Sequence, residues 1–302
     1  MRRRRLLSLA ASGALLTHRP AQATTPQPAR GVGRFDLLAD WNFGHTKPDA
    51  TIHTMTELQR AFRFRYIYNN GQLDGLPTYW SRHRDYPEGD PRSLHVFIDD
   101  ALVLKARMPP GGGLRDGGLE SGMLRALLPV TPGMYVEMRA KLPRGLGVWP
   151  AFWLNPGVET AGGEFSATPW PPEIDIFEFF VWQGRSRPRL LQGEVHPAAN
   201  VGPEGPTRDI FSQMSNGRYD PGIDFSADFH VFALDWVKDR PIWVIDGYPI
   251  NQTVIGWNAP PAHILITNQI GMTLNGVDLT GMAYGGDDWD YTVDYVRVWQ
   301  RG

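Results

Sequence analysis

The 302-residue chain contains no cysteine, which excludes disulfides, thiolate catalysis and cysteine-ligated metals. It has no stretch of about 18 uninterrupted apolar residues, so no transmembrane segment is expected. Beyond Arg5 it has no run of lysines or arginines, and no internal repeat or low-complexity linker follows Arg34. Helical periodicity is scarce as well; only Thr54–Phe64 reads as a turn or two of helix. These absences remove thiol enzymes, membrane spans, basic nucleic-acid binders and helical bundles from consideration.

What is present begins with an address. Arg2-Arg3-Arg4-Arg5 precede a short apolar run, Leu6 to Leu16, and then Ala21-Gln22-Ala23. A basic head, a short apolar stretch and an A-x-A site read as an export signal over residues 1–23, of Sec or twin-arginine type. The protein is therefore expected to be secreted or periplasmic. Removing residues 1–23 takes away five arginines and no acid, moving the formal net charge from −2 to −7. Residues 24–34, with Pro26 and Pro28, read as a flexible tether. The remainder, 35–302, is long enough to bury one large core without cross-links, and we expect a monomer.

That remainder is punctuated by Pro109-Pro110-Gly111-Gly112-Gly113, Pro132-Gly133, Asn155-Pro156-Gly157 and Gly285-Gly286-Asp287. Between such breaks lie short runs read as strands, among them His95–Ile98, Leu102–Ala106, Met134–Leu142, Trp149–Leu154, Leu190–His196, His230–Val237, His263–Gln269 and Tyr291–Trp299. Asp246-Gly247 between Ile242–Ile245 and Tyr248–Val254 is a hairpin signal. Many short strands with frequent turns indicate an all-β sandwich or jelly roll.

The most informative run is Glu173-Ile174-Asp175-Ile176-Phe177-Glu178, three carboxylates within six residues of an apolar stretch. On a strand, Glu173 and Asp175 share a face. Strict alternation would send Glu178 to the opposite side, among the isoleucines, where an unpaired carboxylate is costly. A β-bulge near Ile176-Phe177 returns Glu178 to the acidic face and sends Phe177 and Phe179 to the core. Clustered carboxylates cannot all remain ionised, which supplies one nucleophile and one proton donor, the pair that retaining glycoside hydrolysis requires. A solvated acidic face or a cation site would show the same spacing.

Trp149, Ala151 and Trp153 alternate with Pro150, Phe152 and Leu154. Two indoles on one strand face suit the apolar faces of sugar rings, although core packing would use them equally well. On Leu190–His196, Gln192, Glu194 and His196 share a face, and His196 could hydrogen-bond a sugar hydroxyl or an acid.

Taken together these runs resemble glycoside hydrolase family 16. Glu173–Glu178 is similar to the family's bulged, laminarinase-like E-x-D-x-x-E signature, and Gly147–Leu154 to its G-x-W-P-A-F-W segment. Gly118–Leu124, Tyr135–Lys141, Phe229–Trp236, Ile245–Gly247 and Asp294–Trp299 agree in order along residues 35–300. The resemblance implies a concanavalin A-like β-jelly roll of two curved antiparallel sheets with a concave substrate cleft. It implies Glu173 as nucleophile, Glu178 as general acid/base, and Asp175 between them bonded to Glu173. Trp149 and Trp153 would line subsites, and His196 matches a histidine beside the acids. The implied partner is a polysaccharide, hydrolysed internally; transglycosylation on the same substrates and a non-catalytic lectin-like role are the alternatives. No cofactor is required by that chemistry, and no metal belongs to the site. A structural calcium on the convex face, as family members often hold, would involve Asp294. Two stretches depart from the family: Phe62–Asp90, rich in Arg, Tyr and Asn, and Leu265–Met272, where Gln269 is atypically placed.

Overall fold

A computed structural model describes residues 26–30, 33–66, 81–112, 118–145, 148–156, 158–159, 165–166, 173–180, 192–194, 218–219, 223–238, 240–252, 261–270 and 287–302. Two antiparallel sheets dominate. The first has eight strands, in which His230–Val237, Met134–Lys141 and the closing strand Tyr291–Arg301 lie side by side. The second has seven, in the order Arg218–Tyr219, Gln192–Glu194, Ile174–Phe180, Val148–Pro156, Ala262–Ile270, Met123–Val130 and Phe62–Arg63. The fold is the expected all-β jelly roll.

Alternation builds the layer between the sheets. Met138, Ala140, Phe232, Leu234, Val293 and Val296 of the first sheet meet Leu124, Phe152, Ile174, Phe177, Phe179, Ile264 and Ile266 of the second in one buried cluster. Phe177 is its aromatic hub, with ring centroids 4.5 Å from Phe232 and 4.8 Å from Phe179. At the expected hairpin, Asp246 and Gly247 both adopt positive φ (49° and 81°), which joins Arg240–Ile245 to Tyr248–Gln252 by a turn matched to strand twist. The helix among the described residues, Met55–Ala61, is shorter than its sequence window. Thr54 caps it: its side chain accepts from the Glu57 N–H while Glu57 reaches back to the Thr54 N–H.

On the outer face of the first sheet lie residues 26–30, part of the stretch read as a tether. Pro26 O accepts from Trp299 Nε1 (3.2 Å), and the Ala29 N–H donates to Glu137 (2.7 Å). The export signal at 1–23 lies outside the described residues.

Candidate active site

The acidic strand, Ile174–Phe180, carries the bulge that its sequence demands. Its ladder with the tryptophan strand, Val148–Pro156, pairs Ala151 with Glu178 and Phe152 with Phe177, then resumes with Trp153 opposite Asp175. Ile176 is the extra residue, unpaired in the register. Directly opposed residues point to the same side of a sheet. Asp175, Glu178, Trp149, Ala151 and Trp153 therefore share the face turned away from the core, while Ile174, Ile176, Phe177 and Phe179 lie beneath. Glu173 immediately precedes the strand and is half-buried, as is Glu178.

Asp175 differs from its neighbours in being only 5% exposed. Burial, reinforced by the Glu178 and Glu173 charges, holds its carboxyl well above the usual carboxylate range. It is the member of the trio best placed to keep a proton near neutrality. From below, Trp243 Nε1 donates to the Asp175 carbonyl (2.7 Å), pinning the strand to the opposite sheet at this residue. Above it, Trp149 Nε1 donates to Glu178 Oε1 (2.9 Å). An N–H aimed at a carboxylate favours its ionised form and fixes its direction. Trp149 is thus a hydrogen-bonding partner of the acid as well as a flat apolar surface.

Trp153 stands further along the same face. Its Nε1 donates to Thr267 Oγ1 (3.3 Å), and Tyr66, Met123 and Leu265 pack around it. Tyr66 is itself fixed from behind. His83 Nδ1 faces the Ser121 carbonyl (3.2 Å), an acceptor only, so Nδ1 carries the proton and Nε2 accepts from the Tyr66 hydroxyl (2.9 Å). Burial lowers the His83 pKa to about 3, which keeps the ring neutral in this role. Tyr66 and His83 lie within the unusual Phe62–Asp90 stretch, whose residues 67–80 lie outside the described residues.

The ladder of the tryptophan strand with Ala262–Ile270 completes the floor. Trp149 lies opposite Gln269, Ala151 opposite Thr267 and Trp153 opposite Leu265. The structure thus brings together Glu173, Asp175, Glu178, Trp149 and Trp153. His196 lies outside the described residues. Sequence reading did not assign Thr267, Tyr66 or Met123 to the site; alternation along Ala262–Ile270 would have placed Thr267 and Gln269 beside the tryptophans once the pairing was known.

Residues 131–274 match the model of Glycosyl hydrolases family 16. A glucan endo-1,3-beta-glucosidase of Cryptopygus antarcticus is 32% identical over 183 residues, covering 54% of this chain and 60% of that protein. Over residues 131–274 the chain is thus similar to the glycosyl hydrolases of family 16. Glucan endo-1,3-beta-glucosidase A1 of Niallia circulans is also 32% identical over 183 residues, 55% of this chain and 24% of that longer protein. The chain therefore spans less than two thirds of either relative. Among solved structures, the endo-beta-1,3-glucanase of Pyrococcus furiosus superposes with a TM-score of 0.57 at 25% identity, covering 88% of this chain and 94% of that one.

The calcium that family 16 resemblance suggests at Asp294 does not fit the residues found there. Lys47 Nζ lies 2.5 Å from Asp294 Oδ1, and Arg139 NH1 lies 2.5 Å from Oδ2. Lys47 Nζ also donates to Asn42 Oδ1 (2.6 Å). A calcium ion requires six to eight oxygen ligands at about 2.3–2.6 Å. Both oxygens of this carboxylate are already held by cations. Among the described residues, no group of three or more His, Asp or Glu side chains is placed to hold a metal.

Proposed function

We propose that this chain is an exported endo-β-glycanase that hydrolyses internal bonds of a β-1,3- or β-1,3/1,4-linked glucan, or of a related bacterial exopolysaccharide, with retention of configuration. The observation that carries the reading is the bulge at Ile176, which sets Asp175 and Glu178 on one open face with Trp149 bonded to Glu178. Glu178 protonates the leaving glycosidic oxygen while Glu173 attacks the anomeric carbon, forming a glycosyl-enzyme. Glu178, now ionised, takes a proton from water, which attacks the same carbon and releases Glu173. Asp175, buried between them, retains a proton and turns a hydrogen-bond donor toward the nucleophile. Trp149 and Trp153 present apolar surface to sugar rings along the tryptophan strand. The relatives' names support a β-1,3-glucan, and the amino-terminal run supports export.

The test is reducing-end release from laminarin, lichenan, agarose, carrageenan and bacterial exopolysaccharides, by wild type and by Glu173→Gln. Cleavage of laminarin or lichenan, reduced at least about 10³-fold in the variant with unchanged melting, supports the reading. A first-formed product of β configuration, read by NMR, supports retention. Longer oligosaccharides in place of shorter ones would turn the assignment to transglycosylation. Binding without cleavage by wild type would turn it to a lectin-like role.

A further inference from the structure

Gln269 carries a polar group on the cleft floor that has no hydrogen-bond partner among the described residues. The side chain is 5% exposed, and its Nε2 is buried with no hydrogen-bond partner. Of its neighbours on the strand, Asn268 has an Oδ1 likewise without a partner, but on the core side. Thr267 accepts from Trp153, and Asn268 Nδ2 donates to the Leu104 and Trp289 carbonyls (2.7 Å each) on the core side. A buried amide N–H without an acceptor destabilises the fold, and a methionine would fill the same space without that penalty. The folded chain alone gives no reason for glutamine here.

Its position gives one. Gln269 lies directly opposite Trp149 in the ladder, on the face that bears Glu178. Trp149 is half-buried, and its indole N–H donates to Glu178. An unpaired donor beside such a ring matches a sugar residue, whose C–H face lies on the indole and whose hydroxyl oxygens lie at its rim. Two strand spacings, about 10 Å, separate Gln269 from the acidic strand, so it addresses a neighbouring sugar rather than the reacting carbon.

We propose that Gln269 is a specificity-determining residue whose Nε2–H donates to a hydroxyl oxygen of the sugar seated on Trp149. The inference rests on reading the cleft as a β-glucan site. A saccharide without that hydroxyl, or with it inverted, leaves the amide unpaired again, and a buried unpaired group discriminates strongly. A hydroxyl or ether oxygen of a neutral glycan satisfies the amide. A glycan presenting only apolar surface there does not.

The experiment is calorimetric binding of a β-1,3-linked glucose hexamer to full-length Glu173→Gln, which holds substrate without turning it over. The same titration is made with Gln269→Met and Gln269→Glu added. Methionine keeps the shape and removes the donor; glutamate keeps the shape and, ionised, can only accept. We expect Kd to rise about 10-fold in each, with the melting temperature of Gln269→Met equal to or above that of its parent. Affinity unchanged in either variant overturns the inference while leaving the hydrolase reading intact. A Gln269→Met protein that melts several degrees lower also overturns it, because the amide would then serve the fold. If Glu173→Gln binds no hexamer and wild type cleaves no glucan, the hydrolase reading falls before Gln269 is altered, and the inference falls with it.

Discussion

Asp175→Asn separates two accounts of the acidic trio. Burial and the two glutamates hold Asp175 above the usual carboxylate range, and the proposed mechanism has it protonated and uncharged near neutral pH. An asparagine of the same shape then leaves the electrostatics of the site unchanged. Two residue rises along a strand place Asp175 and Glu178 about 7 Å apart. At an effective dielectric of about 20, a full charge at that distance is worth about 2.4 kcal/mol, or about 1.7 pH units. Were Asp175 ionised, removing its charge would let Glu178 lose its proton that much earlier. On the proposed roles the alkaline limb of kcat/KM follows the proton on Glu178, and it would move down accordingly. The expected result is an alkaline limb that stays in place, measured as initial rates on laminarin from about pH 4 to 9. A limb displaced downward by about 1.5 units or more refutes the protonated Asp175. Stability provides a second arm. A carboxyl whose pKa is raised on folding is protonated in the native state after the unfolded chain has lost its proton, so stability falls as pH rises above the unfolded value, near 3.9. Asparagine removes that dependence. Asp175→Asn should melt above wild type at pH 7, by about 1.4 kcal/mol for each unit of displacement, with the gain vanishing below about pH 4. No gain at pH 7 would count equally against the argument.

Trp149→Phe keeps the ring and removes the N–H bonded to Glu178. The ionised acid loses a charge-assisted bond, so the alkaline limb should move up by about one pH unit, and a limb that does not move would show the bond to be idle. Phe177→Ala empties the aromatic hub under the bulge; denaturant melts should record a loss of about 3–5 kcal/mol. Calcium at millimolar concentration, or its removal by EDTA, should leave the melting temperature unchanged, because cations of the chain already hold Asp294. Lys47→Met should lower stability by about 1–2 kcal/mol, since Arg139 remains on the carboxylate. Restoration of that loss by calcium would show that the lysine occupies a site still able to bind metal.

Much of the site was legible because an energetic conflict was written into a short segment. Three acids and four large apolar residues between 173 and 179 can be sorted to two faces only with one extra residue, and the register places it at Ile176. Asp246-Gly247 was legible for the same reason, since a two-residue hairpin turn is decided locally. Met123–Val130 was not read as a strand from its pattern. Leu124 and Ala126 join the central core while Met123 packs under Trp153 and Arg125 is buried, so both faces are covered and alternation disappears. Every residue of Ala262–Ile270 is buried, so its own pattern did not mark the face of Thr267 and Gln269 until the pairing with the tryptophan strand was known. The buttress behind Trp153 depends on Tyr66 meeting His83 and Ser121. That meeting follows from a parallel pairing of Ser81–His83 with Leu119–Ser121, which no local rule supplies.

Three buried carboxylates show what sets Asp175 apart. Asp294, 8% exposed, lies between Lys47 and Arg139 on the outer face of the first sheet. Glu137, 1% exposed on that sheet, is raised by burial but drawn back by the Ala29 N–H and the Tyr295 hydroxyl. Asp175, equally deprived of water, has the glutamates as its charged neighbours, and burial and neighbours act in the same direction. Burial alone is therefore a poor marker of reactivity. A carboxyl paired with cations is a fastener, since each of its oxygens is held by a partner side chain. A carboxyl buried beside other acids has no favourable charged state, so it exchanges protons with them and persists only where the rest of the fold bears the cost. The Phe177 cluster and the Trp243 bond to the Asp175 carbonyl hold the backbone at that point. Weakening either should disturb the pH dependence of catalysis before it unfolds the sheet.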